Sequence, residues 1–250
     1  MSNWYRYDWA LSGEPAEFHV DLAYLDEFDT LGDFTTLLYV SCYSLYADAT
    51  AFTQREKTQL DAVLRTCLDV LDKKAVYVGY IDVTAQRRYY FYTSDARLLV
   101  PLIKACGDER NFRVECVKVA EPNRQTYYRL LAPDRAKMQS SDNLAYIRSL
   151  RERGDDCAAM RRVNLHLCFP GEQSRAAFRT EARAMGFALG AESYVPEREL
   201  PFSLTVHRIC PLEPATVTAL TTQAIHAAEA CGGTMERFDA AFVPKRGWLR

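Results

Sequence analysis

Residues 162–169 read Arg-Val-Asn-Leu-His-Leu-Cys-Phe, alternating polar and apolar side chains at the period of two that a strand with one buried face requires. Pro170-Gly171 breaks the run. Gln173 to Met185 then carries apolar residues at helical spacing, and Gly186 suits a C-cap. Phe187 to Val195 predicts a second strand, Pro196 to Pro201 a loop, and Phe202 to Ile209 a third, alternating strand. Leu212 to Cys231 is helical, with Pro214 in its first turn and Gly232-Gly233 after it, and Met235 to Val243 forms a last strand. The order is β-α-β-β-α-β, the split ferredoxin-like unit.

The first half repeats that order. Thr35 to Tyr43 predicts a strand, and Thr53 with Glu56 three residues on reads as a capping box for a helix reaching about Asp72. Ala75 to Val83 and Gln86 to Thr93 form a hairpin across Thr84-Ala85. Asp95 to Cys106 is a second helix ended by Gly107, and Phe112 to Val119 a fourth strand. Two further strands, Trp4 to Ala10 and Ala16 to Leu25, come before this unit. Between the halves, Pro133 to Met160 is polar, with a linker helix expected from Asp142 to Arg153 behind Ser141. The expected fold is therefore α+β: two tandem ferredoxin-like βαββαβ units with antiparallel sheets, the first preceded by two extra strands. The expected domains are residues 1–138 and 139–250, a comfortable size for a chain of 250.

Charge is unevenly spread. From Tyr7 to Gln54 there is no Lys or Arg, yet the stretch holds Asp8, Glu14, Glu17, Asp21, Asp26, Glu27, Asp29, Asp33 and Asp48. Residues 55–250 carry 30 basic and 24 acidic side chains. A one-signed block repels nucleic acid and anionic membrane and attracts a basic protein surface; it reads equally as a solvated rim that keeps the protein in solution. The eight cysteines are scattered, the closest pair ten residues apart and none in C-x-x-C, and most lie in apolar runs. With no export signal and no apolar run of membrane length, a cytoplasmic protein with reduced thiols is expected.

Several of these residues resemble known families. The first half resembles a bacterial domain family of unknown function, number 695, through Trp4-x-x-Tyr7, Phe52-x-x-x-Glu56-x-x-x-Leu60, and Val78-Gly79 with Thr84 leading into Arg88-Tyr89-Tyr90-Phe91-Tyr92. Glu121-Pro122 and Tyr128-x-x-Leu131-Ala132-Pro133-Asp134 complete that match. The second half is similar to the RraB family, regulators of ribonuclease E. The carriers are Leu150-x-x-x-Gly154-Asp155, Arg162-Val163-x-x-His166-x-x-Phe169, Gly186-Phe187, Phe202-Ser203-Leu204-x-Val206-x-Arg208 and Gly232-Gly233. The family pattern continues with Tyr-Asp-Gly-Trp, where this chain reads Thr234-Met235-Glu236-Arg237-Phe238. The RraB resemblance implies a ferredoxin-like fold, no catalysis, and inhibition of a nuclease by direct binding.

Candidate sites follow from the strand alternation. His166 and His207 fall on the helix-free face of adjacent central strands, within cross-strand reach. As a metal or acid–base pair they need a third ligand or an orienting carboxylate, which no H-x-x-x-H or H-x-x-E spacing supplies. They read better as a polar face that packs on a partner or on the other domain. Tyr39 and Tyr43 sit on the first strand of the first unit, with Arg87 to Tyr92 on its third. Such aromatics can stack RNA bases, but the acidic stretch before them opposes a polyanion, so a protein-binding face is expected. No G-x-S-x-G motif or glycine-rich phosphate loop occurs.

The expected function is a non-catalytic regulator or inhibitor of a nuclease. It binds a basic protein surface through Asp21, Asp26, Glu27, Asp29, Asp33, Asp48, Tyr39, Tyr43, His166 and His207, with no cofactor and no metal. Two alternatives stand beside it: an immunity protein covering a toxin nuclease, and a small hydrolase using the His166/His207 face. Electrostatic docking would lose on-rate as salt rises.

Overall fold

The computed structural model describes residues 2–27, 31–46, 49–107 and 109–245, and contacts divide the chain into two units, Met1–Pro133 and Asp134–Arg250. The first unit contains β1 (Trp4–Leu11), β2 (Glu14–Asp21), a single turn α1 (Tyr24–Glu27), β3 (Thr36–Ser44) and α2 (Gln54–Leu71). It continues with β4 (Ala75–Val83), β5 (Gln86–Thr93), α3 (Leu99–Cys106) and β6 (Phe112–Ala120). Its six-stranded antiparallel sheet runs β1-β2-β4-β5-β3-β6. Strands β4-β5-β3-β6 are the ferredoxin-like four, and the β1–β2 hairpin is added beside β4.

Local chemistry fixes these elements. Thr53 Oγ1 accepts from Glu56 N–H, while the Glu56 carboxylate accepts from Thr53 N–H at 2.8 Å, so α2 starts on a reciprocal cap. Leu60, Val63, Cys67 and Leu71, spaced three to four apart, form its buried stripe. The stripe meets Leu38, Val40 and Cys42 of β3 and Phe91 of β5, and burying each large aliphatic side chain contributes about 1.5–3 kcal/mol. Gly79 has φ +142°, and a Cβ there would lie 2.2 Å from the His19 carbonyl oxygen of β2, so only glycine fits where β4 bulges in its pairing with β5.

The opposite face of the first sheet is sealed by the unit's own chain. Thr126–Leu131 forms one wide helical turn, closed by Ala132 N–H to Tyr127 O at 2.7 Å. Tyr127 and Leu131 pack among Tyr7, Phe18, Val20, Leu37 and Tyr92. Tyr127 donates to the Asp21 carbonyl and Tyr7 to the Leu131 carbonyl, both at 2.7 Å. The Glu121 carboxylate accepts from Thr126 N–H at 2.9 Å and from the Tyr92 hydroxyl.

In the second unit, α4 (Arg135–Glu152) precedes β7 (Arg161–Phe169), α5 (Glu172–Ala184), β8 (Ala188–Tyr194), β9 (Phe202–Cys210), α6 (Pro214–Ala230) and β10 (Thr234–Ala240). The sheet order β10-β7-β9-β8 is the ferredoxin-like arrangement, antiparallel throughout. A Cβ on Gly233 would lie 2.3 Å from the Phe169 ring, which explains the bare residue ahead of β10. Gly154 at φ +88° ends the α4 region, and the next residue, Asp155, is fully buried. The Asp155 carboxylate accepts from Arg161 Nη1 and from Val243 N–H, each at 2.8 Å.

Three expected element bounds change. The linker helix starts at Asp134, whose side chain accepts from Lys137 N–H at 2.9 Å, and it packs on α6 as part of the second unit. The residue pair 138/139 therefore falls inside α4, and the units part at Pro133/Asp134. The second strand ends at Asp21 rather than Leu25, because the Asp21 carboxylate accepts from Ala23 N–H at 3.1 Å and turns the chain. The last strand stops at Ala240, where Ala241 O turns to accept from Arg161 Nη1 at 2.9 Å.

Candidate functional site

The helix-free face of the second sheet is polar because the alternation that buries Val163, Leu165, Leu167, Leu204 and Val206 under the helices points the intervening residues the other way. His166 lies directly across from Thr205, and His207 across from Asn164, so the two imidazoles are diagonal rather than facing. The expected histidine pair is therefore replaced by a different one. Asp239, arriving on β10, places Oδ2 2.5 Å from His166 Nε2, and Thr205 Oγ1 lies 3.2 Å from His166 Nδ1. Asp239 Oδ1 also accepts from Asn164 at 2.9 Å, and Arg237 donates to Oδ2 at 3.0 Å. Burial pushes the Asp239 carboxyl up, but the Asn164 amide, the His166 ring and the Arg237 charge more than offset this and hold it below the usual range.

His207 stays outside this network. Its Nδ1 is buried without a hydrogen-bond partner, and burial together with nearby Arg162 lowers its pKa, disfavouring the charged ring. Beside His166 a cavity of about 230 Å³ is lined by Ser193, Ser203, Thr205, Arg198 and Glu236. Arg198 pairs with Glu236 at 2.5 Å and Ser193 with Ser203 at 2.5 Å, so the walls are charge-balanced. This face can orient one imidazole between an acid and a hydroxyl and offer paired charges to a polar surface.

In the first unit, Tyr39 and Tyr43 lie on the sheet face away from the helices, each covered by a cation. The Arg88 guanidinium is 4.9 Å from the Tyr39 ring centre, and that of Arg113 is 4.3 Å from the Tyr43 ring. Arg88 also donates to Ser41 at 2.9 Å, and Tyr43 to Glu115 at 3.1 Å. The expected aromatic platform is therefore an arginine–tyrosine lattice, bordered by a cavity of about 220 Å³ between Leu11, Ile81, Val83, Arg88 and Tyr90.

The acidic stretch does not gather into one patch among the described residues. Asp21 is 2 % exposed and spends its carboxylate on the N–H groups of Asn3 and Ala23, at 2.6 and 3.1 Å. Asp8 and Glu17 face each other across β1 and β2, with Glu17 ion-paired to Arg6. Glu14 lines the cavity on the opposite face, and Asp33 is exposed in a turn. Asp29 and Asp48 lie outside the described residues, as do the side chains of Asp26 and Glu27. Sequence reasoning missed Asp239, Thr205 and Arg113. Only the register of neighbouring strands, not spacing along the chain, could have found them.

A family model described as "Regulator of ribonuclease activity B" (RraB) matches residues 140–239, and one described as "Family of unknown function (DUF695)" matches residues 2–131. No curated protein matches. Among solved structures, an unknown protein from Galdieria sulphuraria is 10 % identical, with 84 % of this chain and 98 % of that chain covered at a TM-score of 0.20, too low to carry an argument. Among the described residues no helix is long and apolar enough to cross a membrane, and no group of three or more His, Cys, Asp or Glu is placed to hold a metal ion.

Proposed function

The chain belongs to the DUF695 family of unknown function and carries an RraB-like second half, and from that premise we propose that it is a non-catalytic protein that regulates a ribonuclease by binding it. The observation that carries this reading is the RraB match over residues 140–239, the segment that folds into the four-stranded unit with the polar open face. On this reading the binding surface is that face, centred on His166, Thr205 and Asp239, with His207 at its margin. Its paired charges give register and specificity to a polar interface more than raw affinity. Tyr39 and Tyr43 with their covering arginines are a secondary contact surface. On this reading the acidic stretch contributes through Asp33 and through Asp26, Glu27, Asp29 and Asp48, whose side chains lie outside the described residues.

The test is direct. The tagged full-length chain is used to recover ribonucleases from its own cells, and each recovered enzyme is assayed on RNA with and without added chain. Slower cleavage, relieved by Asp239→Lys in the chain, supports the proposal. A chain that retains no ribonuclease, or that leaves cleavage rates unchanged, overturns it.

A second reading is favoured by one observation. The Asp239–His166–Thr205 series of hydrogen bonds has the order carboxylate, imidazole, hydroxyl that small hydrolases use to activate a nucleophile. Turnover of an ester substrate by the purified chain, abolished in a folded His166→Ala/His207→Ala double variant, would establish it. Absence of turnover discards it.

A further inference from the structure

Four cysteines distant in sequence converge beneath the helices of the first unit. Cys42 comes from β3, Cys67 from α2, Cys106 from the last turn of α3 and Cys116 from β6. Cys67 Sγ and Cys106 Sγ are 3.9 Å apart, and Cys116 packs against the same cluster, close enough to interact with Cys106. Cys106 is thus shared by two thiol neighbours. Cys67 is fully buried and Cys106 6 % exposed, while Cys116, on an edge strand, is half-buried.

These thiols differ from the other buried cysteines. A buried thiol without a close sulfur partner is inert: burial, with a smaller contribution from Cys106, pushes Cys42 up to about 12. Cys106 is shifted the other way, because its pairing with Cys116 and then Cys67 outweighs its burial. Cys67 and Cys116 are pushed up. Cys106 therefore has one thiol, Cys67, 3.9 Å away and a second, Cys116, in the same cluster. Closing 3.9 Å to the roughly 2.0 Å of a disulfide asks about 1 Å of each sulfur, within the reach of side-chain rotation.

We propose that Cys67, Cys106 and Cys116 form a peroxide-sensitive thiol site that stores one disulfide, with Cys106 as one of its two sulfurs. The Cys106 sulfur attacks hydrogen peroxide; an S–O bond forms, the O–O bond breaks, and the departing hydroxide takes the thiol proton to become water. The thiol of Cys67 or Cys116 then attacks the sulfenic sulfur; the S–S bond forms, the S–O bond breaks, and hydroxide leaves with the second thiol proton as water. Two thiols lose two electrons in all, and one peroxide is reduced to two waters. The bond ties the end of α3 to α2 or to β6.

The experiment treats the full-length chain with hydrogen peroxide, alkylates the remaining thiols and maps the products by mass spectrometry. The mass is expected to fall by about 2 Da, with the cross-link joining Cys106 to Cys67 or Cys116. Cys231, half-buried in the second unit, serves as the reference and stays alkylatable. Dithiothreitol restores the starting mass, and the oxidised chain melts at a higher temperature than the reduced one. Cys106→Ala leaves Cys67 and Cys116 reduced at the same dose; should that variant fail to fold, the wild-type map alone decides. A cross-link lacking Cys106, oxygen added to Cys116 without any cross-link, or thiols that all remain alkylatable would overturn the proposal.

Discussion

The two units share one strand order and treat the second face of the sheet in opposite ways. In the first, Tyr127 and Leu131 close over Tyr7, Phe18 and Tyr92, so most of that face is core. In the second, Asn164, His166, Thr205 and Asp239 occupy the equivalent face and bond to one another. A βαββαβ sheet has helices for only one side. The contrast teaches that the topology leaves the other side undecided, and the side chains at alternate strand positions determine whether it is sealed or offered to a partner.

The sharpest way to break this contrast is to unseal the first face. Tyr127→Ala removes a fully buried ring and a hydroxyl bonded to Asp21 O, and should destabilise the first unit by about 3–5 kcal/mol in chemical denaturation. Loss of less than about 1 kcal/mol would mean that the turn merely rests on the sheet. A matching loss in the second unit should come from away from its open face. Asp155→Ala leaves Arg161, only 6 % exposed, without its carboxylate, and should cost about 3–5 kcal/mol.

A smaller effect separates helix capping from face sealing. Glu56→Gln weakens the reciprocal cap of α2 and should cost about 1 kcal/mol, read from the denaturation midpoint. Burial raises the Glu56 carboxyl, but bonds from Ser44 and Thr53 outweigh it and hold the group below its usual range. The stability it contributes is therefore complete above the unfolded-state value and lost as pH falls through the folded one. Acid titration of the variant should show a shallower loss than the wild type. The smallest expected effect is on the open face itself. Asp239→Asn should change stability by less than about 1 kcal/mol, since its surroundings are partly solvated, while weakening partner binding. A stability loss as large as that of Tyr127→Ala would show the polar face to be core after all.

What could be read from the sequence follows from what leaves a period. The alternation in β7 and β9 and the stripe Leu60, Val63, Cys67, Leu71 in α2 are each produced by one buried face, so the order of elements and both ferredoxin-like sheets were legible. The start of α4 was not, because its buried positions include Lys137, Ser140 and Asn143, with Asn143 donating to Thr221 at 2.9 Å; a polar packing face has no apolar period. The sealing turn is a single turn and too short to show one. His166 was legible as an open-face residue, but its carboxylate lies 73 positions away and is brought in only by β10 pairing with β7. Asp21 misled because a side chain that accepts backbone N–H groups in a turn reads, by charge alone, as surface.

The order in which the chain leaves the ribosome gives the sealing turn a further meaning. All six strands of the first unit have been synthesised once Ala120 emerges, yet Tyr7, Phe18 and Tyr92 remain bare until Thr126 to Leu131 follow. For that interval the nascent protein carries a finished sheet with an uncovered greasy side, the kind of surface that chaperones hold. A ribosome stalled between those two points would present a sticky intermediate, and a truncation ending at β6 would keep it so.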